Sequence, residues 1–179
     1  KLVEILTTYQ FHSKLLLVPF AGVQQEIVQK SPPPLRVILY RRMMVRIAGE
    51  IAGREKAEAL ATGEAVGQVA SQTLRNIRAI DAAAIFPILR PLSGADKEET
   101  MALARKIGTY EVSKEPYDDC CSFLAPRKPS TWANLDEVRR AESQLDVETL
   151  VNAALGQHAT ENFSYPEAEQ AKLVESPAL

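Results

Sequence analysis

Three short apolar runs, each broken off at a turn and followed by helical periodicity, constrain this chain more than any other feature of its sequence. They occupy residues 15–20 (LLLVPF), 57–62 (AEALAT) and 85–92 (IFPILRPL). Runs this short do not make long helices, and unbroken apolar character suits strands buried on both faces, as in parallel sheets. Between them lie segments of 3.6-residue spacing: Leu2, Val3, Ile5 and Leu6, then Val23, Ile27 and Val28, then residues 35–54, then residues 68–83. Ser31-Pro32-Pro33-Pro34 separates the second from the third, because proline lacks an amide donor and pushes the preceding residue out of helix. This alternation predicts an α/β fold, a parallel sheet with helices on both faces. Pro87 places the third run at a sheet edge or its first half outside the ladder.

Asp96 and Glu99 have capping-box spacing for a helix that Gly108 ends. Residues 110–113 read as a short strand or extended segment, and residues 116–129 as a loop carrying Cys120 and Cys121. Residues 135–145 and 147–155 are amphipathic tail helices, and the last fifteen or so residues show no periodicity. Ligands of parallel sheets sit beyond the strands' carboxyl ends. That rule points at the turns after Phe20, at residues 62–67 and at residues 93–97.

Charge divides the chain. Residues 1–130 carry 18 Lys/Arg against 14 Asp/Glu, and residues 131–179 carry 3 against 9, a basic body and an acidic tail. No apolar run approaches the twenty or so residues that cross a bilayer. Two adjacent cysteines make no disulfide framework and, with no secretory signal pattern at the start, point to a reducing cytoplasm. The first residue is Lys1 and the opening reads as mid-helix, so a piece of a longer polypeptide is expected.

Several strings carry a resemblance: Arg41-Arg42-Met43-Met44, Thr62-Gly63-Glu64 running into Gly67-Gln68-Val69-Ala70-Ser71-Gln72-Thr73-Leu74, Leu89-Arg90-Pro91-Leu92, Asp96-Lys97-Glu98, and Pro116-Tyr117-Asp118-Asp119-Cys120-Cys121. In this order they closely resemble the C-terminal part of the tRNA 4-thiouridine synthetase (tRNA sulfurtransferase) family, over about residues 1–155. The resemblance implies a PP-loop ATP pyrophosphatase domain that adenylates a tRNA uridine at position eight, releases pyrophosphate, and lets persulfide sulfur displace AMP to leave 4-thiouridine. It further implies ATP and Mg2+, tRNA as partner, a cysteine desulfurase as persulfide donor, sulfur transfer toward thiamine thiazole in some members, and a homodimer as one assembly open to it. The family's pyrophosphate-holding Ser-Gly-Gly loop and THUMP domain belong upstream of Lys1 and are not in this sequence. Residues 1–130 are then the C-terminal part of the PP-loop domain, and residues 131–179 an acidic helical tail. By resemblance the sheet order is 3-2-1-4-5 and the present strands are the last three. Without its central pair, the strand at residues 15–20 is expected to lack a partner, and the chain alone to fold poorly or aggregate.

Within this frame Arg41, Gly63 and Gln72 match ATP-binding positions. A residue without Cβ admits close backbone approach, and an amide reads donor and acceptor together. Arg42 and Arg46 read as a solvated helix face. Lys97 stands in the first turn of a helix, where the dipole disfavours a cation. The family's needed lysine falls there, which assigns Lys97 to stabilising phosphate charge during adenylation. Cys120 matches the family's functional cysteine, and Cys121 is a candidate sulfur relay. Either thiol could carry or resolve the persulfide, and two buried structural thiols remain open as the plain alternative. Two cysteines and two distant histidines, His12 and His158, give no metal-ligand spacing. Competing functions are a non-catalytic tRNA-binding fragment and another PP-loop tRNA-modifying enzyme.

Overall fold

Residues 36–54 follow the triple proline without another helix breaker than two glycines, and they form α3 (Arg36–Arg54), the element around which one compact unit is built. In the computed structural model, which describes residues 1–116, 124 and 126–165, the chain divides into two such units. One contains Val18–Ala95 together with residues that run to Gln157; the other contains Lys1–Leu17, residues from Asp96 onward as far as 116, and residues from His158 onward. The units therefore interleave along the chain.

In the α3 unit, Ile38, Leu39, Tyr40 and Met43 are essentially inaccessible. Around them pack Val23 and Ile27 of α2 (Ala21–Lys30), Ala79 and Ile80 of α4 (Leu74–Asp81), Val138 and Ala141 of α7 (Leu135–Glu142), and Val151, Ala154 and Leu155 of α8 (Val147–Gly156). The acidic tail helices thus supply core side chains, because their apolar stripes need a face to cover them. Asn134 and Asp146 cap α7 and α8 through their side-chain oxygens. The parallel sheet expected from sequence is here a pair, β2 (Leu60–Ala61) and β3 (Ile88–Leu89), with Leu60 opposite Ile88. Pro87 stands outside the ladder and contributes only its carbonyl, which accepts from the Leu60 amide at 2.8 Å.

In the other unit, α1 (Leu2–Gln10) leads into β1 (His12–Leu17), which pairs antiparallel with β4 (Ala159–Ser164). This corrects the reading of residues 15–20 as a buried parallel strand without a partner. The run splits at Leu17: residues 12–17 are all exposed or half-buried, alternating except at Leu15 and Leu16, as in an antiparallel ribbon. Val18 and Phe20 instead pack against the core of the α3 unit, and Pro19 between them has no amide to continue a ladder. α5 (Lys97–Lys106) begins with the expected capping box: the Glu99 amide donates to Asp96 and the Asp96 amide to Glu99, both at 2.8 Å. Gly108 adopts φ 78°, a conformation only glycine takes readily. Residues 110–113, expected to be extended, form the short helix α6 (Tyr110–Ser113). Arg105 and Lys114 both stack on the Tyr110 ring, which fixes the turn. Among the described residues no helix is long and apolar enough to cross a membrane.

Candidate nucleotide site

The turn after β2 gathers the expected residues of the α3 unit. Thr62 donates its amide to Leu89 at 3.0 Å, which extends the β2–β3 pair and brings Glu64 beside Arg90. The Glu64 carboxylate is buried and receives three donors: Arg41 from α3, Arg90 Nε at 2.8 Å and the Thr62 hydroxyl at 3.1 Å. Arg90 also forks onto Asp81 with its two terminal nitrogens. Burial works against the Arg90 charge, but Asp81 and Glu64 outweigh it and raise its pKa, so it stays protonated. Two guanidiniums and two carboxylates thus close a charge-balanced network across α3, the β2 turn, α4 and the end of β3.

Gly63 lies inside this turn, between Thr62 and Glu64. A Cβ built on it meets nothing within 4 Å, and its backbone is not left-handed; the positive φ of the turn, 83°, belongs to Gly67. Neither packing nor conformation therefore requires a glycine at 63. The Gly67 amide donates to the Gln72 carbonyl at 2.9 Å, folding residues 67–72 over into a 3-10 turn before α4. The Gln72 side chain is buried, and its Oε1 has no hydrogen-bond partner. An orphaned buried acceptor is costly and calls for a donor. That condition fits the amino group of a purine base, so the residues present are compatible with an adenine nucleotide.

Arg42 and Arg46 correct the expectation of a solvated helix face. Arg42 is 2% exposed and forms a fork with Glu142 of α7, at 2.9 Å from Nε and 2.6 Å from Nη2, while donating to the Ala79 carbonyl. Arg46 adds two more contacts to the same carboxylate, at 3.0 Å from Nη2 and 3.4 Å from Nε. Nothing in the local sequence marks Arg42 as the buried one of two adjacent arginines; only the position of Glu142 in space does. Glu64, Arg90 and Asp81 join Arg41 in one ion-pair network, which sequence reasoning misses. The signal that could find them is Arg90 itself, a lone charge inside an apolar run.

Lys97 is exposed at the start of α5 and makes no ion pair among the described residues. It belongs to the other unit from Arg41, Gly63 and Gln72. Cys120 and Cys121 lie outside the described residues. Among those described, no group of three or more His, Cys, Asp or Glu side chains is placed to hold a metal ion.

The family described as "Thiamine biosynthesis protein (ThiI)" matches residues 1–147 of the chain. The chain belongs to the ThiI family. Among its curated relatives, a probable tRNA sulfurtransferase of Thermus thermophilus is 46% identical over 92% of the chain, and one of Alkaliphilus metalliredigens is 44% identical over 91%. The chain covers 41% and 42% of those ThiI-type proteins, about two fifths of their length. A crystal structure of a 4-thiouridine synthetase in complex with RNA and bound ATP is similar over 90% of the chain and 43% of its own, with a TM-score of 0.84 and 37% identity. The α/β fold class inferred from strand–helix alternation is that of this neighbour.

Proposed function

We propose that this chain is the nucleotide-base and sulfur-transfer portion of an ATP-dependent tRNA sulfurtransferase that makes 4-thiouridine at position eight of tRNA. The observation that carries the reading is the likeness to a 4-thiouridine synthetase determined with ATP and RNA. The unpartnered Gln72 Oε1 and the open face at Gly63 agree with it. In this reading Arg41, Gly63 and Gln72 hold ATP. The uridine O4 attacks the α-phosphorus and pyrophosphate leaves; the outer sulfur of a cysteine persulfide then attacks C4 and AMP leaves, and a second thiol attacks the inner sulfur, breaking the S–S bond, forming a protein disulfide and freeing 4-thiouridine. Lys97 offsets phosphate charge in the first step, and Cys120 handles sulfur in the second, with Cys121 as relay. Mg2+ enters with the ATP phosphates, since no ligand cluster for it stands among the described residues, and no step is drawn through it.

The rest of the reading concerns the whole polypeptide. Residues 1–130 contribute the C-terminal part of the PP-loop domain and residues 131–179 its acidic extension. Segments corresponding to the THUMP and Ser-Gly-Gly regions, a cysteine desulfurase donor, a cytoplasmic setting, a homodimer and a contribution to thiamine thiazole synthesis complete it. The 179 residues by themselves are expected to turn over nothing.

The test replaces the matching segment of the Thermus thermophilus relative with these 179 residues. The chimera should form 4-thiouridine in tRNA only with ATP, and lose it with Lys97→Ala or Cys120→Ala. A folded chimera that binds tRNA yet leaves it unthiolated refutes the proposal and favours a non-catalytic RNA-binding module.

A further inference from the structure

An open groove of about 630 Å³ lies beside α4 in the α3 unit, lined by Leu74, Arg75, Arg78, Trp132 and Asn134 among others. Trp132 is 71% exposed and so is Leu74. Leaving an indole in water forgoes a large apolar gain, so chains normally bury it. Here the opposite is built in. Thr73 Oγ1 donates to the Thr131 carbonyl at 2.9 Å, Asn76 Nδ2 to the Ser130 carbonyl at 2.8 Å, Arg75 Nε to the Ala133 carbonyl at 3.3 Å, and the Ala133 amide to Asn76 Oδ1 at 3.0 Å. Asn76 is fully buried. Four hydrogen bonds thus clamp the backbone on both sides of Trp132 while its ring stays outside. The Arg75 guanidinium stacks on that ring, 4.6 Å from its centroid. Arg78 follows one turn later on the same helix, and neither arginine has a carboxylate partner among the described residues. Among those residues, no acidic side chain lines the groove.

We propose that this groove is a docking surface for an unpaired RNA nucleotide, whose base stacks on Trp132 and whose flanking phosphates meet Arg75 and Arg78. A rigid aromatic face beside uncompensated guanidiniums is the pair of features that single-stranded RNA uses: stacking for the base, charge for the backbone. Protein partners of an apolar groove need no such excess of positive charge. Leu74 at the groove's edge follows Gln72 by two residues in the chain, within the same unit. The inference rests on the proposed function only for the identity of the RNA as tRNA.

Trp132 is the one tryptophan in the chain, so its fluorescence reports on this groove alone. Titrating the chain with a single-stranded oligouridylate should quench that emission, with an affinity that falls as salt rises. Arg78→Glu should flatten the salt dependence and weaken binding about tenfold, Trp132→Ala should weaken binding of a labelled oligouridylate about tenfold, and Trp132→Phe should keep most of it. ATP alone should leave the emission unchanged. RNA binding that leaves the indole signal untouched, or that Trp132→Ala and Arg78→Glu do not alter, overturns the proposal, as does an absence of binding. Should the isolated chain not yield a folded preparation, the same variants in the chimera, read by anisotropy of the labelled RNA, test the groove with the same expected and opposing results. RNA binding through Trp132 without thiolation counts against the enzyme reading alone; thiolation unaffected by these substitutions counts against the groove alone.

Discussion

Glu142 is where charge and burial act on one side chain. Burial works to raise its pKa, but the bonds from Arg42 and Arg46, with their charges, prevail and lower it from the ordinary value of 4.5. A carboxylate whose folded pKa is depressed stabilises the fold above its unfolded pKa and loses that contribution as pH falls through the folded value. Chemical denaturation should therefore show stability declining below about pH 4.5, with a shallower decline in Glu142→Gln. Glu142→Ala strands Arg42 with an uncompensated charge and should destabilise by about 3–5 kcal/mol. Gln72 behaves in the opposite way. Replacing it with Leu removes an unsatisfied buried acceptor, so the midpoint of thermal unfolding should hold or rise. ATP affinity, by isothermal titration in the chimera, should fall about tenfold, the loss of one good hydrogen bond. A Gln72→Leu protein that binds ATP undiminished removes Gln72 from the site.

At the scale of elements, the helices differ in what holds them. α3 is lined by inaccessible side chains, whereas α5 has no buried residue and rests on its capping box and on local bonds. Amide exchange should be slowest along α3 and rapid along α5, and Asp96→Ala should speed α5 further at a cost of about 1 kcal/mol to that helix. Comparable protection in both helices would contradict this. The same contrast explains which elements could be read from the sequence. α1, α2 and α3 have bounds within a residue or so of those expected, because periodicity and proline act locally. Residues 159–164 (ATENFS) have no apolar alternation, being exposed at nearly every position, and become a strand only because β1 presents unpaired amides to them. Residues 110–113 have an aromatic and β-branched character that favours extended backbone, yet they form a helical turn on which Arg105 and Lys114 lie over the Tyr110 ring.

For the whole molecule, the parallel pair β2–β3 has two residues in each strand, and among the described residues each strand has one neighbour. Pairs this small do not stand alone, and open strand edges invite association. The isolated chain should therefore self-associate at micromolar concentration in sedimentation velocity and melt over a broad range. A sharp, concentration-independent transition of a monomer would show that the helical core around α3 is sufficient.

The sequence alone determined the α/β class, the bounds of the early helices and the capping box, since all of these follow from spacing and from the local backbone preferences of the residues, proline above all. It also carried the family, through strings long enough to be specific. Only the tertiary structure decided that Arg42 is buried on Glu142, that Glu64 joins Arg41 to Arg90, that β1 pairs with β4, and that Trp132 is held in water. Each of these depends on which distant residue arrives beside another, and one hundred residues separate Arg42 from Glu142. Local propensities set the conformation of a segment, but the cost of leaving a buried charge or amide unpaired is settled by its neighbours in space.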